Sequence, residues 1–118
     1  MSKDSKDISL HLKIQLGKYS FFGPGKILLL ETIIEKGSIS SAARKIGMSY
    51  RKAWNLVNDL NKLSNKKLVI TFTGGKGTGG ARITKDGESL INLYRRIEEK
   101  AFLGMKKEKN QLKKIINN

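Results

Sequence analysis

The glycine-rich stretch at residues 73–80, Thr-Gly-Gly-Lys-Gly-Thr-Gly-Gly, is the part of the sequence whose spacing most suggests chemistry. Five of the twelve glycines of the chain lie in these eight positions. Glycines allow a backbone to approach a surface closely, and their N–H groups can cradle phosphate. The stretch therefore has two interpretations: a nucleotide site in an enzyme, or a loop that contacts the phosphates of another kind of molecule.

The nucleotide interpretation requires a structural context that this sequence lacks. Residues 75–80 match G-x-G-x-x-G, but a dinucleotide site needs a helix directly after the glycines and then a second parallel strand. Residues 81–84, Ala-Arg-Ile-Thr, favour a short strand instead. A P-loop ends in Gly-Lys-Ser or Gly-Lys-Thr, whereas this stretch continues Gly-Gly-Ala. A nucleotide-binding enzyme thus stays the weaker alternative.

Other catalytic and metal-binding side chains are scarce. The chain has no cysteine, its one histidine is His11, and its carboxylates are not clustered. Thiolate and histidine metal sites, and nucleophile–base pairs, need residues that are missing here. We therefore predict that the protein is not an enzyme and uses no metal or cofactor.

The charge of the chain indicates a polyanionic partner. Lys and Arg number 24 against 10 Asp and Glu, which gives a net charge of +14. Such an excess favours nucleic acid or an anionic membrane surface. The sequence has no apolar run of about 18 residues and no apolar core of a signal peptide near its start. We expect a cytoplasmic protein with no membrane partner.

The first third of the chain predicts a strand and a helix. Residues 8–16 alternate apolar and polar side chains, as in a strand with one wet face, and His11 lies on the polar face. Residues 17–25 contain three glycines and Pro24, which predicts a loop. Pro24 suits the first turn of a helix that runs through residues 26–36.

Residues 38–63 predict a helix-turn-helix. A short helix over about 41–46 is followed by a turn at Gly47 and a longer helix over about 50–63, which Ser49 can cap. In the longer helix one stripe is apolar, and basic and amide side chains line the opposite face. Trp54 borders the stripe and could belong to the core or to an interface.

The glycine-rich stretch then falls between two strands, 68–72 and 81–84, and is predicted to be the tip of a β-hairpin. Such a tip could be a turn without a role, or the wing of a winged helix that lies along a duplex. After the hairpin, Thr84 can cap a last helix. Leu90, Tyr94, Ile97 and Ala101 form a coiled-coil-like seam along that helix, which weakens at Gly104.

These elements predict an α+β fold that is mostly helical. It is a winged helix-turn-helix with an N-terminal strand, a β-hairpin wing and a long C-terminal dimerisation helix. We expect a single domain over residues 1–118, with a core at about 8–103 and a basic extension at 104–118.

Several short sequence motifs, which follow one another along the chain, resemble the N-terminal DNA-binding domain of the ModE family of molybdate-dependent transcriptional regulators. They are Gly-Ser-Ile-Ser at 37–40, Met-Ser-Tyr-Arg-Lys-Ala-Trp at 48–54, the glycine word at 73–81, Thr84 with Gly87, Leu-Ile-Asn-Leu-Tyr at 90–94 and Lys-Ala-Phe at 100–102. The resemblance covers about residues 8–103. It implies a winged helix that dimerises and binds a palindromic operator.

The resemblance does not extend to the C-terminal molybdate-binding domains of that family, because the sequence ends at Asn118. DNA binding is therefore implied, while molybdate sensing is left open. A stand-alone regulator and a regulator with a separate effector-sensing protein both fit.

From these patterns we predict double-stranded DNA as the partner and a homodimer as the acting form. The recognition-helix candidates are Ser49, Tyr50, Arg51, Lys52 and Asn55. The candidates for the DNA backbone and the wing are Ser40, Ser41, Arg44, Lys45, Lys76, Gly77, Thr78 and Arg82. The candidates for the dimer interface are Leu30, Ile34, Leu90, Tyr94, Ile97 and Ala101.

The function predicted from the sequence is a sequence-specific transcriptional regulator. A non-specific architectural DNA-binding protein is the main alternative, because the same charge would serve it without base readout. An adaptor that recruits another protein through the helical seam is a further alternative.

Overall fold

A computed structural model describes residues 6–18, 20–73 and 79–118 of the chain. Two short antiparallel hairpins flank the first three helices. The elements are β1 (Ile14–Leu16), β2 (Ser20–Phe22), α1 (Pro24–Lys36), α2 (Ile39–Ile46), α3 (Tyr50–Lys62), β3 (Val69–Phe72), β4 (Gly80–Ile83), α4 (Lys85–Gly104) and α5 (Lys106–Asn117). The predicted winged-helix α+β fold is confirmed.

The N-terminal strand is shorter than the sequence predicts. Only Ile14–Leu16 form a strand, and they pair with β2, which lies within the predicted loop at 17–25. A strand needs a hydrogen-bonding neighbour, and β2 is three residues long. Alternation nevertheless persists upstream, since Leu10 and Leu12 are half-buried and His11 between them is exposed, as predicted.

Helix α1 runs through the centre of the molecule. Pro24 is its first residue, where a missing N–H costs nothing, and Gly37 ends it with a left-handed φ of 79°. Ile27, Leu30 and Ile33 have no exposed surface. This helix contacts α2, α3, α4, β2 and β4, so one strongly apolar helix organises the packing of the others.

Among the described residues, Tyr94 of α4 is the largest fully buried side chain. Its ring packs edge-on against Phe22 with centroids 5.9 Å apart, and its hydroxyl donates to the Leu12 carbonyl at 2.7 Å. Burial raises the pKa of this hydroxyl. Through this one side chain α4 holds both the N-terminal segment and the first hairpin.

A one-residue break separates α4 from α5. Gly104 is the last residue of α4, and Met105 separates the two helices. Helix α5 buries none of its residues, although Asn117 exchanges hydrogen bonds with the backbone of Lys6, at 2.8 and 3.2 Å. The weakening of the helical pattern at Gly104 thus marks the end of one helix and the start of another.

Candidate nucleic-acid interface

Helices α2 and α3 meet at a tightly defined turn. Ser38 caps α2 by accepting a hydrogen bond from the Ser41 N–H at 3.0 Å. Gly47 ends α2 with φ of 71°, a left-handed conformation that favours glycine. Ser49 caps α3 by accepting from the Lys52 N–H at 3.1 Å. These local hydrogen bonds set where α3 begins, and hence which of its residues face outward.

Helix α3 has two clearly different faces. Ala53, Val57 and Leu60 are buried in the core. The opposite face is exposed over the length of the helix and carries Arg51, Lys52, Asn55, Asn58 and Lys62, with Asp59 as its one acidic residue. A helix with a buried apolar stripe and an outer face of cations and amides is the form in which a helix-turn-helix presents side chains to base edges.

The β3–β4 hairpin is attached beside the start of α2. The N–H of Ala81 donates to the Gly37 carbonyl at 2.9 Å, which ties β4 to the turn between α1 and α2. Gly80 lies so close that a Cβ on it would stand 2.7 Å from that carbonyl oxygen and 2.9 Å from Cζ of Phe72. Only glycine fits there, so one glycine of the glycine-rich stretch has a packing role.

The base of the hairpin is also attached to α3. The Asn61 side chain accepts from the N–H groups of Leu68 and Val69, at 2.9 and 3.0 Å, and donates to the Val69 carbonyl at 3.0 Å. An amide that satisfies three backbone groups at the strand start keeps the hairpin at one angle to α3. The helix and the hairpin therefore form a single preorganised surface.

A groove of about 240 Å³ lies between the starts of α2 and α3 and the base of the hairpin. Tyr50 and Phe72, each about half exposed, and Trp54 supply its aromatic walls. The Trp54 indole N–H donates to the Tyr50 hydroxyl. Trp54 is half-buried against the core and also lines this groove. Its alternative role at an interface stays a prediction.

The electrostatics of this region differ from those of the rest of the chain. Residues 36–85 hold eleven Lys and Arg but only one acidic residue, Asp59. Among the described residues, no carboxylate lies within 4.0 Å of the charged nitrogens of Arg44, Lys45, Arg51, Lys52 or Arg82. Unpaired cations on one surface create a positive potential that attracts a polyanion.

Most of the predicted DNA-contacting residues are exposed on α2, α3 and the hairpin. Those exposed on α2, α3 and the hairpin are Ser40, Arg44, Lys45, Ser49, Tyr50, Arg51, Lys52, Asn55 and Arg82. Ser41 is half-buried, and its N–H is already used by the α2 cap. Lys76, Gly77 and Thr78 lie outside the described residues. Phe72 was not among the predicted residues, and the signal that could have found it is its place next to the glycine-rich stretch.

The predicted dimer residues divide into two groups. Leu30 and Tyr94 have no exposed surface, because neighbours in the same chain cover them, so they offer nothing to a second copy. Ile34 and Ile97 are about half exposed, and Leu90 and Ala101 are partly covered. The apolar pattern of α4 predicted a seam without showing which of its members the core would take.

The exposed members do not share one surface. Ile34 lies beside Glu88, Ile91 and Asn92, on the flank of α4 that faces α1. With 100° of rotation per residue, Ile97 falls on the other flank of α4, together with Leu93. Leu93 is 53% exposed and was missed by the prediction. Leu90, Leu93, Ile97 and Ala101 form the apolar stripe of α4.

Arg95 joins α1 to α4 on the flank opposite the stripe. Its guanidinium donates to both carboxylate oxygens of Glu31, at 2.6 and 3.1 Å, and to Glu98 at 2.8 Å. The hydrogen bond to Glu31 is the largest of the effects that raise the pKa of Arg95. This cation is committed to holding two helices together.

The part of the chain that the structure describes contains no cluster of three or more His, Cys, Asp or Glu that could hold a metal ion. None of its helices is both long and apolar enough to span a membrane.

Comparison with known proteins gives the family. No family model matches the chain. The transcriptional regulator ModE of Yersinia pestis is 43% identical over 113 residues, which cover 93% of this chain and 42% of that protein. The DNA-binding transcriptional dual regulator ModE of Escherichia coli K12 is 46% identical over 99 residues, 81% of this chain and 37% of that protein.

The chain belongs to the ModE family. It corresponds to the N-terminal DNA-binding domain of these regulators, as the resemblance of its short sequence motifs predicted. The molybdenum-pterin-binding protein MopA of Rhodobacter capsulatus is also similar, at 45% identity over 69 residues. The chain spans about two fifths of the length of the ModE relatives it matches.

Proposed function

We propose that this chain is a sequence-specific DNA-binding regulator that binds a palindromic operator as a homodimer. The observation that carries the proposal is the exposed face of α3, where Arg51, Lys52 and Asn55 lie together without a carboxylate partner among the described residues. That face stands on a preorganised helix-turn-helix. Family membership supports the same conclusion, since the relatives are named as transcriptional regulators.

Residues near the start of α3 would contact base edges in the major groove. Arg51 can bond guanine O6 and N7 with two N–H groups, and Asn55 can bond adenine N6 and N7. They lie four residues apart, so they share one face and reach neighbouring base pairs. The recognition set is Ser49, Tyr50, Arg51, Lys52 and Asn55.

Side chains around α3 would hold the DNA backbone. Arg44 and Lys45 in the last turn of α2 are exposed, as is Arg82 on β4, and each can neutralise a phosphate. Ser40, Ser41 and the wing residues Lys76, Gly77 and Thr78 complete the predicted backbone set. These contacts would set the orientation of α3 without reading sequence.

The apolar stripe of α4 is the surface we propose for dimerisation. Leu93 and Ile97 are one turn apart and about half exposed. Leu90 extends the stripe toward the start of α4 and Ala101 toward its end. Two copies that pair through this stripe under two-fold symmetry would present two α3 helices to successive half-sites. Ile34, a residue of α1, lies beside the other flank of α4 and is not included in this surface.

A binding titration separates specific regulation from the architectural alternative. Duplexes would first be selected from a random pool, which also reveals the symmetry and spacing of the site. The selected duplex and a scrambled duplex of the same composition are then titrated at 50 and 200 mM salt. At 200 mM salt we expect the selected duplex to bind at least about 1,000-fold more tightly than the scrambled duplex. Equal affinities at both salts would show a non-specific binder instead.

The proposal includes no enzymatic activity, in keeping with the names of the relatives. A separate effector-sensing protein stays a prediction from the sequence.

A further inference from the structure

A second cavity, of about 270 Å³, lies on the other side of α3, between the first hairpin and the start of α1. Its walls are mainly apolar and include Phe21, Pro24, Met48 and Leu56. Three lysines, Lys13, Lys26 and Lys52, also line it, and no acidic residue does. This volume lies just below the range of about 300–1,000 Å³ that is usual for small-molecule pockets, so it suits only a compact ligand.

Lys26 is the unusual member of this lining. It is the third residue of α1, two positions after Pro24, and only 6% of it is exposed. The ammonium donates to the Phe21 carbonyl at 2.7 Å and lies 4.1 Å from the centre of the Phe21 ring. Among the described residues no carboxylate lies within 4.0 Å of it. A buried cation without a counter-charge is costly, and an anion in the cavity would offset that cost.

A second ammonium strengthens the positive field at the same place. Nζ of Lys13 lies 4.0 Å from the centre of the Phe21 ring. One aromatic ring therefore faces two ammonium groups, and Lys52 of α3 adds a third lysine at the cavity wall. The first residues of α1, which carry the positive end of the helix dipole, form part of the same wall. Apolar walls with two ammonium groups beside Phe21 match a ligand that has an apolar body and an anionic group.

We propose that this cavity binds a small organic anion with a flat apolar ring, such as an aromatic carboxylate. The carboxylate would accept from Lys26 and Lys13 beside Phe21, and the ring would pack on Met48 and Leu56. A phosphate alone would leave the apolar walls unfilled, and a neutral ring would leave the buried ammonium unpaired. The site shares only Lys52 with the outer face of α3. Its other lining residues lie outside the proposed DNA-binding set, so its existence does not depend on the proposed DNA binding.

The methionine methyl groups allow a direct test on the full chain without DNA. Met48 lines the cavity, whereas Met105 lies at the junction of α4 and α5, so a protein labelled with ¹³C at the methionine methyls contains a reporter and a control. The probe is 2-naphthoate, compared with 2-naphthylmethanol and with inorganic phosphate. We expect 2-naphthoate to shift the Met48 signal saturably, at least about tenfold more tightly than either comparison compound, and to leave Met105 unchanged.

Substitutions identify the cation responsible. Lys26→Met keeps the length of the side chain and should weaken 2-naphthoate at least about tenfold, while Lys18→Met, outside the cavity, should not. Lys13→Met is the second variant, with an expected loss of about threefold or more, if Lys26→Met does not fold. Equal binding of the neutral alcohol, equal binding of phosphate, or unchanged affinity in the folded lysine variants would each overturn the proposal.

Discussion

The arginines of two regions of this molecule differ in whether they are paired with carboxylates. On the outer surface of α2, α3 and β4, Arg44, Arg51 and Arg82 have no carboxylate within 4.0 Å among the described residues. Between α1 and α4, Arg95 is bound by two carboxylates at 2.6 and 2.8 Å. An arginine that is neutralised inside the protein contributes to packing, whereas an unpaired one keeps its charge and its donors for a partner.

The apolar residues show the complementary difference. Around α2 and α3 the apolar side chains turn inward, and the outer face is polar. On α4 the stripe with Leu93 and Ile97 stays half exposed in the single chain. The basic surface therefore suits a polyanion, and the stripe suits a second apolar surface. The net charge of +14 does not distinguish these regions, but the positions of the acidic residues do.

The largest effect is expected from breaking the proposed dimer. Ile97→Asp places a carboxylate in the middle of the stripe, where a second copy would bury it without a partner. We expect monomers in sedimentation and a loss of operator affinity on the order of 100-fold or more, because one α3 helix would then bind alone. Little stability should be lost within a protomer, since Ile97 is already 45% exposed.

Leu103→Asp is the matched control for this substitution. Leu103 is 64% exposed and lies on α4 away from the stripe, so the same charge there should leave the dimer intact. If Ile97→Asp stayed dimeric, or if both variants dissociated alike, the stripe would not be the interface.

The next effect concerns base readout by α3. Arg51→Ala removes the predicted guanine contact and should cost about 1–3 kcal/mol, or roughly 5- to 150-fold, for the selected duplex. It should cost much less for a scrambled duplex, so preference at one base pair relaxes. Binding to a set of single-base operator variants measures this. Arg96→Ala, an exposed arginine on α4, removes the same charge elsewhere and should have little effect on that preference.

A uniform loss over all duplexes would instead assign Arg51 to a phosphate. The unpaired cations would then still bind DNA, but Arg51 would not read a base pair.

The helices were largely predictable from the sequence because their signals are local. The caps at Ser49 and Thr84 act within three residues, and the structure shows both hydrogen bonds, to Lys52 and Gly87 at 3.1 Å. The start of α2 was predicted at about residue 41, two residues late, although Ser38 was one of the two serines that could cap it and is the cap observed. A run of serines offers several capping positions, and the fit of Ile39 into the core selects one of them.

Features that depend on distant parts of the chain were not predictable. Strand β2 exists because Phe22 pairs with Ile14, and nothing in the glycine-containing segment around it indicates a strand. Tyr94 was assigned to a dimer seam, since its spacing fits one, but Phe22 and the Leu12 carbonyl occupy its ring and hydroxyl. Periodicity shows that a residue is on an apolar face, and it does not show which neighbour covers that face.

The smallest effect is expected from Arg95, the arginine that is paired with carboxylates. It tests whether a paired arginine contributes to stability rather than to DNA binding. Arg95→Met should lower the free energy of unfolding by about 0.5–1 kcal/mol, measured in urea at fixed protein concentration. The side chain is 41% exposed, so solvent screening limits what its ion pairs contribute. Operator affinity should stay within about twofold of the original, since this cation is already neutralised by Glu31 and Glu98. A double-mutant cycle with Glu31→Gln isolates the bond between the two helices. If Arg95→Met instead weakened DNA binding as strongly as Arg51→Ala while the dimer stayed intact, pairing with carboxylates would not separate structural from DNA-binding cations in this chain.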